Sequence, residues 1–295
     1  MNQQPFKNIS KVAITGSNGF IGRHVVRALR EILPKIKLVL VVRSGGEIEN
    51  DSENSGVVVA DIYDESINFM ELLGNPDALV HLAWGGLSNF SNSNHEAIEL
   101  PKQKVFLTRL IERGLAHLVV AGTCFEYGAI EGECREEADV SPILPYGRAK
   151  NDLRITLESI CETGGCTLAW ARLFYMYGAG QRSSALHAQF VAAAVAERET
   201  FDMSDGEQVR DYLPVEDVAQ MLADCVMFGH NVGVVNICSG RPTRVVDMIG
   251  EWSKELNYHP LLNCGVFARP AYEPDSFWGS RKRFDTLVRG NVEGC

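Results

Sequence analysis

No run of apolar residues in this 295-residue chain approaches the roughly 20 that a bilayer-spanning helix needs. The opening residues, MNQQPFKNIS, lack the apolar stretch of a secretory leader. A cytoplasmic protein with no membrane partner is therefore expected. Positive charge is also scarce, with 28 lysines and arginines against 38 aspartates and glutamates and a net charge of −10. That balance argues against a nucleic-acid footprint or attraction to anionic lipid. A small anionic ligand is still allowed, because single arginines and helix N-termini bind anions locally against the overall sign. The eight cysteines form no CxxC pair and no zinc-type spacing, so reduced thiols and no structural metal are expected. Internal repeats, low-complexity segments and a disordered linker are missing as well, which suits lobes that pack closely.

What the chain does have is alternation. KVAIT (11–15) is a short apolar run that stops at GSNGFIG, and RHVVRALREIL follows with Val25, Val26, Leu29 and Leu33 on one helical side. KLVLVV (37–42), GVVVADI (56–62), ALVHLAW (78–84), HLVVAGT (117–123), TLAWARLF (167–174) and VVNICSG (234–240) read as buried strands. Between them, 95–114 reads as a helix that Pro101 either bends or begins, and a second helix runs from PYGRAK to the glycines at 164–165. After 174 the regularity fades into a glycine-rich loop and a helix, and RVVDMIGEWSKEL (244–256) is amphipathic. The tail, ARPAYEPDSFWGSRKRFDTLV, is rich in proline and aromatics. The pattern predicts an α/β protein with a Rossmann-type doubly wound parallel sheet and a smaller, mainly C-terminal substrate lobe. Residues 1–174 would form the dinucleotide-binding domain, with 211–240 returning to it, and 175–210 with 241–295 the lobe.

Glycines at 16, 19 and 22 fall between the first strand and the first helix. Gly16 permits a tight turn, Gly19 a close approach of backbone to a pyrophosphate, and Gly22 close helix–strand packing. The spacing is GxxGxxG, and a plain glycine turn would also join strand to helix. About twenty residues on, where a carboxylate would hold a free ribose 2′-hydroxyl, stands Arg43. A guanidinium suits a 2′-phosphate, so NADP(H) is preferred and NAD(H) possible; a surface arginine at a strand end is the alternative. In LPYGRAKNDL, Tyr146 and Lys150 are one helical turn apart. They are either a solvated surface pair or an acid whose pKa the ammonium lowers.

Seven segments, in order, resemble those of the extended short-chain dehydrogenase/reductases, the group of NAD-dependent epimerase/dehydratases and nucleotide-sugar 4-ketoreductases. TGSNGFIG, with Phe20 and Ile21 inside it, resembles the glycine loop, and Asp61–Ile62 the adenine contact. Leu82, Ala83 and Trp84 resemble the segment beneath the cofactor, and GTCFEYG the strand end bearing the catalytic hydroxyl, Thr123. PYGRAK resembles the Tyr-x-x-x-Lys pair, and RLFYMYGAGQ and RDYLPVEDV two later signatures. The resemblance implies that Tyr146 is the general acid–base, that Lys150 lowers its pKa and bonds the nicotinamide ribose, and that Thr123 holds the substrate oxygen. Dehydratases carry an Asp–Glu pair after the threonine, where this chain has Cys124 and Phe125, so 4,6-dehydration is not expected. Glu126 is displaced by one residue and, on an extended segment, would face away.

Arg43 and Tyr175 favour a 4-ketoreductase of a nucleotide-linked 4-keto-6-deoxy sugar over a 4-epimerase that retains NAD. A non-catalytic NADP(H)-binding regulator is disfavoured, because Thr123, Tyr146 and Lys150 are all kept. Candidate substrate contacts are Trp84, Thr123, Tyr175, Gln181, Arg182 and Arg210, with Arg269 a weaker one. Arg210 could instead form a salt bridge to Asp211 or Glu207, and Trp84 could be core filler. Cys124 is expected to line the pocket and His81 to be structural, while His187 is uninformative. By the same resemblance, helices near 96–113 and 147–163 would pair two subunits into a homodimer.

Overall fold

In the computed structural model, residues 9–43, 54–228, 230–270 and 272–292 are described. Seven strands, β1 (Lys11–Thr15), β2 (Lys37–Val42), β3 (Ser55–Val59), β4 (Ala78–His81), β5 (His117–Thr123), β6 (Thr167–Leu173) and β7 (Gly233–Ile237), form one parallel sheet. Their spatial order is 3-2-1-4-5-6-7. Successive residues of each strand feed opposite layers. Val12 and Ile14 join one apolar cluster and Ala13 the other; Val119 and Ala121 oppose Leu118 and Val120. Burial on both faces is why these runs are continuously apolar instead of alternating.

On one face lie α1 (Phe20–Ile32), α6 (Val215–Met227) and α8 (Lys282–Val292), contributing Val25, Leu29, Val218, Leu222 and Phe284. The other face is covered by α2 (Phe69–Leu72), α3 (Leu100–Glu112) and α4 (Pro145–Gly164), with Phe106, Leu110, Leu153 and Leu157. The lobe has its own core, in which α5 (Leu186–Val195) and α7 (Val245–Glu255) bring Phe190, Met248 and Trp252 against Phe201. Short parallel ladders, Tyr175–Tyr177 with Tyr212–Pro214 and Gly132–Cys134 with Phe277–Gly279, tie it to the sheet.

Three sequence expectations are adjusted. GVVVADI is not a buried strand: β3 is the sheet edge, with Val57 37% and Val59 64% exposed, and Asp61–Ile62 lie beyond its end. The lobe assigned to 241–295 is too large, since α8 packs back on the sheet through Phe284, Leu287 and Val288. Pro101 stands in the first turn of α3 and so marks the start of that α-helix, as one of the two alternatives had it, while the part expected as helix from 95 is a separate wider coil, His95–Glu99. Among the described residues, no helix is long and apolar enough to cross a membrane, no His, Cys, Asp and Glu group could hold a metal, and the seven cysteines are free thiols.

Candidate active site

The strand order reverses between β1 and β4, and a crevice opens beyond their C-terminal ends, where open α/β sheets take their ligands. Gly16, at φ +68°, comes so close to the segment after β4 that an added Cβ would lie 3.1 Å from the Ala83 nitrogen. At Gly22 a Cβ would fall 2.1 Å from the Gly16 carbonyl oxygen, closing the loop against its own helix. Gly19 caps α1 without a side-chain hydrogen bond, and the first turn, which holds Phe20 and Ile21, has no acid. The backbone N–H groups and the positive end of the helix dipole are thus left for an anion, and this cradle fits a dinucleotide pyrophosphate. Arg43 and Asp61, both exposed, follow the adjacent strands β2 and β3 on one rim, with Ile62 half-buried beside them.

A buried polar network underlies this loop. Thr15 Oγ1 is 2.8 Å from His81 Nδ1, and His81 Nε2 is 2.6 Å from Gln103 Oε1. Gln103 donates to the Ala83 carbonyl and to Tyr63, and Glu99 accepts from Tyr63 and from the Gly85 N–H. Burial, with the Lys150 charge adding to it, pushes His81 down to about 3. A neutral ring can accept from Thr15 while donating to Gln103, so His81 is structural, as expected. Gln103, Tyr63 and Glu99 were not singled out from sequence. The available signal was an amide inside the apolar stripe Leu100, Leu107, Leu110 of α3.

At the end of β5 the Thr123 hydroxyl accepts from the Phe125 N–H and starts the single turn Cys124–Glu126, which is coiled and not extended as expected. Glu126 is fully buried, and its carboxylate accepts from Thr123 N (2.9 Å), Trp170 Nε1 (2.9 Å) and Arg172 Nε (2.8 Å). It is committed to structure and does face away from the crevice. Cys124 is a buried thiol whose pKa burial raises well above the ordinary value, an inert lining group.

Tyr146 and Lys150 point inward from the first turns of α4 and are 8% and 2% exposed, so the surface-pair reading fails. Lys150 Nζ donates to the Ala121 carbonyl at 2.8 Å and stands 3.9 Å from the Trp84 ring centroid and 5.8 Å from that of Tyr146. The Tyr146 ring stacks on Phe90 and packs against Trp84 and His95. The expected acidification of the phenol invokes Lys150 together with the charged nicotinamide, and the polypeptide alone has only the first of these. Desolvation raises the Tyr146 pKa above the ordinary value, with Glu126 and Cys124 adding to the rise and a hydrogen bond from Thr123 opposing it. Burial likewise pushes Lys150 down to about 7, so in the polypeptide alone the ammonium is only partly charged at neutral pH.

The candidate substrate contacts divide. Trp84 and Thr123 meet Tyr146, while Arg182 donates to the Leu87 carbonyl and lies 5.6 Å from the ring of Phe90, on which Tyr146 stacks. Arg210 is buried and pairs with neither Asp211 nor Glu207 but with Glu273, at 2.7 Å, and the same carboxylate accepts from the Tyr175 hydroxyl. Asp211 is held instead by the N–H groups of Ser239 and Gly240. Gln181 donates to the Met176 carbonyl, and its Oε1 is buried without a partner. Arg269 is spent on Asp205 and Asp275, and His187 packs on Tyr177 and Trp252. Phe90, His95 and Glu273 are site residues that sequence reasoning missed; nothing in their local pattern marks them, because long loops bring them in.

Comparison with known proteins agrees with this geometry. The model of the NAD dependent epimerase/dehydratase family matches residues 12–238. The dTDP-6-deoxy-L-talose 4-dehydrogenase (NAD(+)) of Aggregatibacter actinomycetemcomitans is 28% identical over 92% of this chain and 99% of its own. The GDP-6-deoxy-D-mannose reductase of Pseudomonas aeruginosa is 26% identical over 81% of this chain and 78% of its own. Among solved structures, MoeE5 in complex with UDP-glucuronic acid and NAD superposes with a TM-score of 0.78 at 23% identity, covering 95% of this chain and 92% of that one. With the glycine cradle, the Thr–Tyr–Lys cluster and a family match across most of its length, the chain belongs to the NAD-dependent epimerase/dehydratase family of extended short-chain dehydrogenases/reductases.

Proposed function

We propose that the protein reduces the 4-keto group of a nucleoside-diphosphate-linked 4-keto-6-deoxy-hexose. The observation that carries this reading is the buried phenol of Tyr146, kept protonated beside Thr123 and Lys150, with Glu126 tied to Arg172 and Phe125 in place of an acid. A bound nicotinamide would supply the hydride to the carbonyl carbon. Tyr146 gives its proton to the oxygen, Thr123 holds that oxygen in reach, and Lys150 restrains the charge left on the phenolate. Phe125, packed against Phe90 and Tyr272, replaces a proton-moving acid with an apolar wall, which suits a sugar that is already deoxygenated at C6. Two relatives named for 6-deoxy-hexose substrates support the same class. Arg182, exposed beside Phe90, is a cation available to the sugar or its diphosphate; Arg210 would first have to leave Glu273.

NADPH is the proposed reductant, with NADH accepted, because Arg43 stands at the rim where a 2′-phosphate would reach. The test is a panel of 4-keto-6-deoxy nucleotide sugars with each cofactor, followed by nicotinamide absorbance. Stoichiometric cofactor oxidation is expected; interconversion of 4-hydroxy sugars without net oxidation would replace the reading by a 4-epimerase. In the same assay Arg43→Asp should lower kcat/KM with NADPH by about 10- to 100-fold and leave NADH nearly unchanged. An unchanged ratio would remove Arg43 from cofactor selection. A homodimer through α3 and α4 is also proposed, since Ile98, Val105 and Ile155 are exposed along that face, and a monomer in sedimentation equilibrium would exclude it.

A further inference from the structure

Lys150 is buried, 2% exposed, and burial works against its charge while Glu126 and Glu99 favour it. Its Nζ donates to the Ala121 carbonyl. The other neighbour at contact distance is the face of Trp84, with Nζ 3.9 Å from the ring centroid. Trp84 is only partly buried, yet its position is fixed at both ends. Its Nε1–H donates to His95 Nδ1 at 3.0 Å, and the opposite ring nitrogen of His95 is 3.0 Å from the Asn89 carbonyl oxygen. With Nδ1 accepting, the proton of His95 must sit on Nε2 and point to Asn89. His95 in turn packs 5.2 Å from the Tyr146 ring, and the Phe90 carbonyl accepts from the Tyr146 N–H. One segment between β4 and α3 therefore braces the first turns of α4 from the outside.

We propose that Trp84, braced by His95, is a positioning residue whose π face keeps the Lys150 ammonium charged and turned toward the crevice. The inference rests on Lys150 belonging to the proposed site. A tryptophan serving only as filler would need neither the histidine acceptor nor a ring face squarely under the ammonium. The electrostatic logic is that a ring quadrupole attracts a cation without adding a formal charge, and most strongly when the cation is desolvated. Other charged or titratable groups face Lys150 from every side: His81 at the end of β4, Glu99 before α3, Glu126 after β5 and Tyr146 on α4 itself. His81 is neutral, while Glu126, ion-paired with Arg172, and Glu99, bonded to Gly85 and Tyr63, also favour the ammonium; the ring adds its attraction to theirs at 3.9 Å.

Direct titration of the isotope-labelled Lys150 side chain by NMR, in the protein without substrate, tests this. Because burial already lowers this group, its charge is lost as pH rises through about 7, and removing the ring should bring that loss to lower pH. In Trp84→Leu the midpoint should fall by about one pH unit, and Trp84→Phe should restore at least half of that shift. His95→Phe, which frees the indole, should fall between them. A midpoint unmoved in Trp84→Leu and His95→Phe overturns the proposal; if the leucine variant does not fold, the phenylalanine pair decides. The titration needs no substrate, so failure of every sugar in the panel would cost the substrate reading and leave this one standing. With an active substrate, the alkaline limb of kcat/KM should shift in parallel with the NMR midpoint.

Discussion

Tyr146→Phe should fold and bind the nicotinamide cofactor as the wild type does while losing about 10²- to 10⁴-fold in kcat. The substitution removes one oxygen and leaves the ring on Phe90, Trp84 and His95, so the packing of α4 is kept. Thr123 retains its bond to the Phe125 N–H, which limits the stability cost to the loss of one hydrogen bond, about 1 kcal/mol. The large effect falls on chemistry because Tyr146 is the proposed proton donor and the groups that follow Thr123 in the chain cannot take its place. Cys124 is held protonated by burial but turned into an apolar cluster, Glu126 is ion-paired behind the turn, and Phe125 has no proton to give. Steady-state kinetics beside a cofactor titration and a thermal melt check the expectation. A kcat within a few-fold of wild type would take the phenol out of the reaction.

The raised pKa of Tyr146 describes the phenol before cofactor binds. A phenol that burial keeps protonated is poised to donate to a developing alkoxide, which is the demand of carbonyl reduction. Alcohol oxidation begins with the opposite transfer and needs the phenolate, which desolvation disfavours in the polypeptide alone. Sequence spacing correctly put Tyr146 and Lys150 on one helix face but did not show that burial raises the phenol's pKa in the polypeptide alone. Spacing says which groups are neighbours; the sign depends on how much water both have lost, and that is set by Trp84, Phe90 and Ala121 from other parts of the chain.

The same distinction separates what was legible from what was not. The strands, the glycine loop and the helix beginning at Pro145 depend on local periodicity and on residues whose conformational needs are intrinsic, so they could be read directly. β3 was misjudged because an edge strand of valines carries the same letters as a central one, and only the absence of an outer neighbour distinguishes them. α6 carried acids in its first turn at Glu216 and Asp217, a start signal hidden inside a segment already read as a motif. Arg210 shows the limit for the site: its partner Glu273 lies 63 residues away, and no local pattern announces that a carboxylate from the tail will meet it.

Arg172→Met should be the most destabilising single change around the site, by about 3–5 kcal/mol, although the side chain never reaches the crevice. Arg172 is 2% exposed and is the cation bonded to the fully buried Glu126. Without it Glu126 keeps only the N–H of Thr123 and the indole of Trp170, too little to hold an ionised carboxylate away from water. For a chain of this size the melting temperature should fall by roughly 10 °C, reported by calorimetry or a melt followed by circular dichroism. Adding Glu126→Gln should recover part of the loss, because the stranded charge disappears and the amide can still accept from Thr123. A single variant melting within about 1 kcal/mol of wild type would show that the ion pair is not what fixes the end of β5. That end carries Thr123, the hydroxyl proposed to hold the substrate oxygen. Catalytic geometry here therefore depends on an acid that sequence position alone would offer as a proton donor, and that the fold spends on holding a threonine in place.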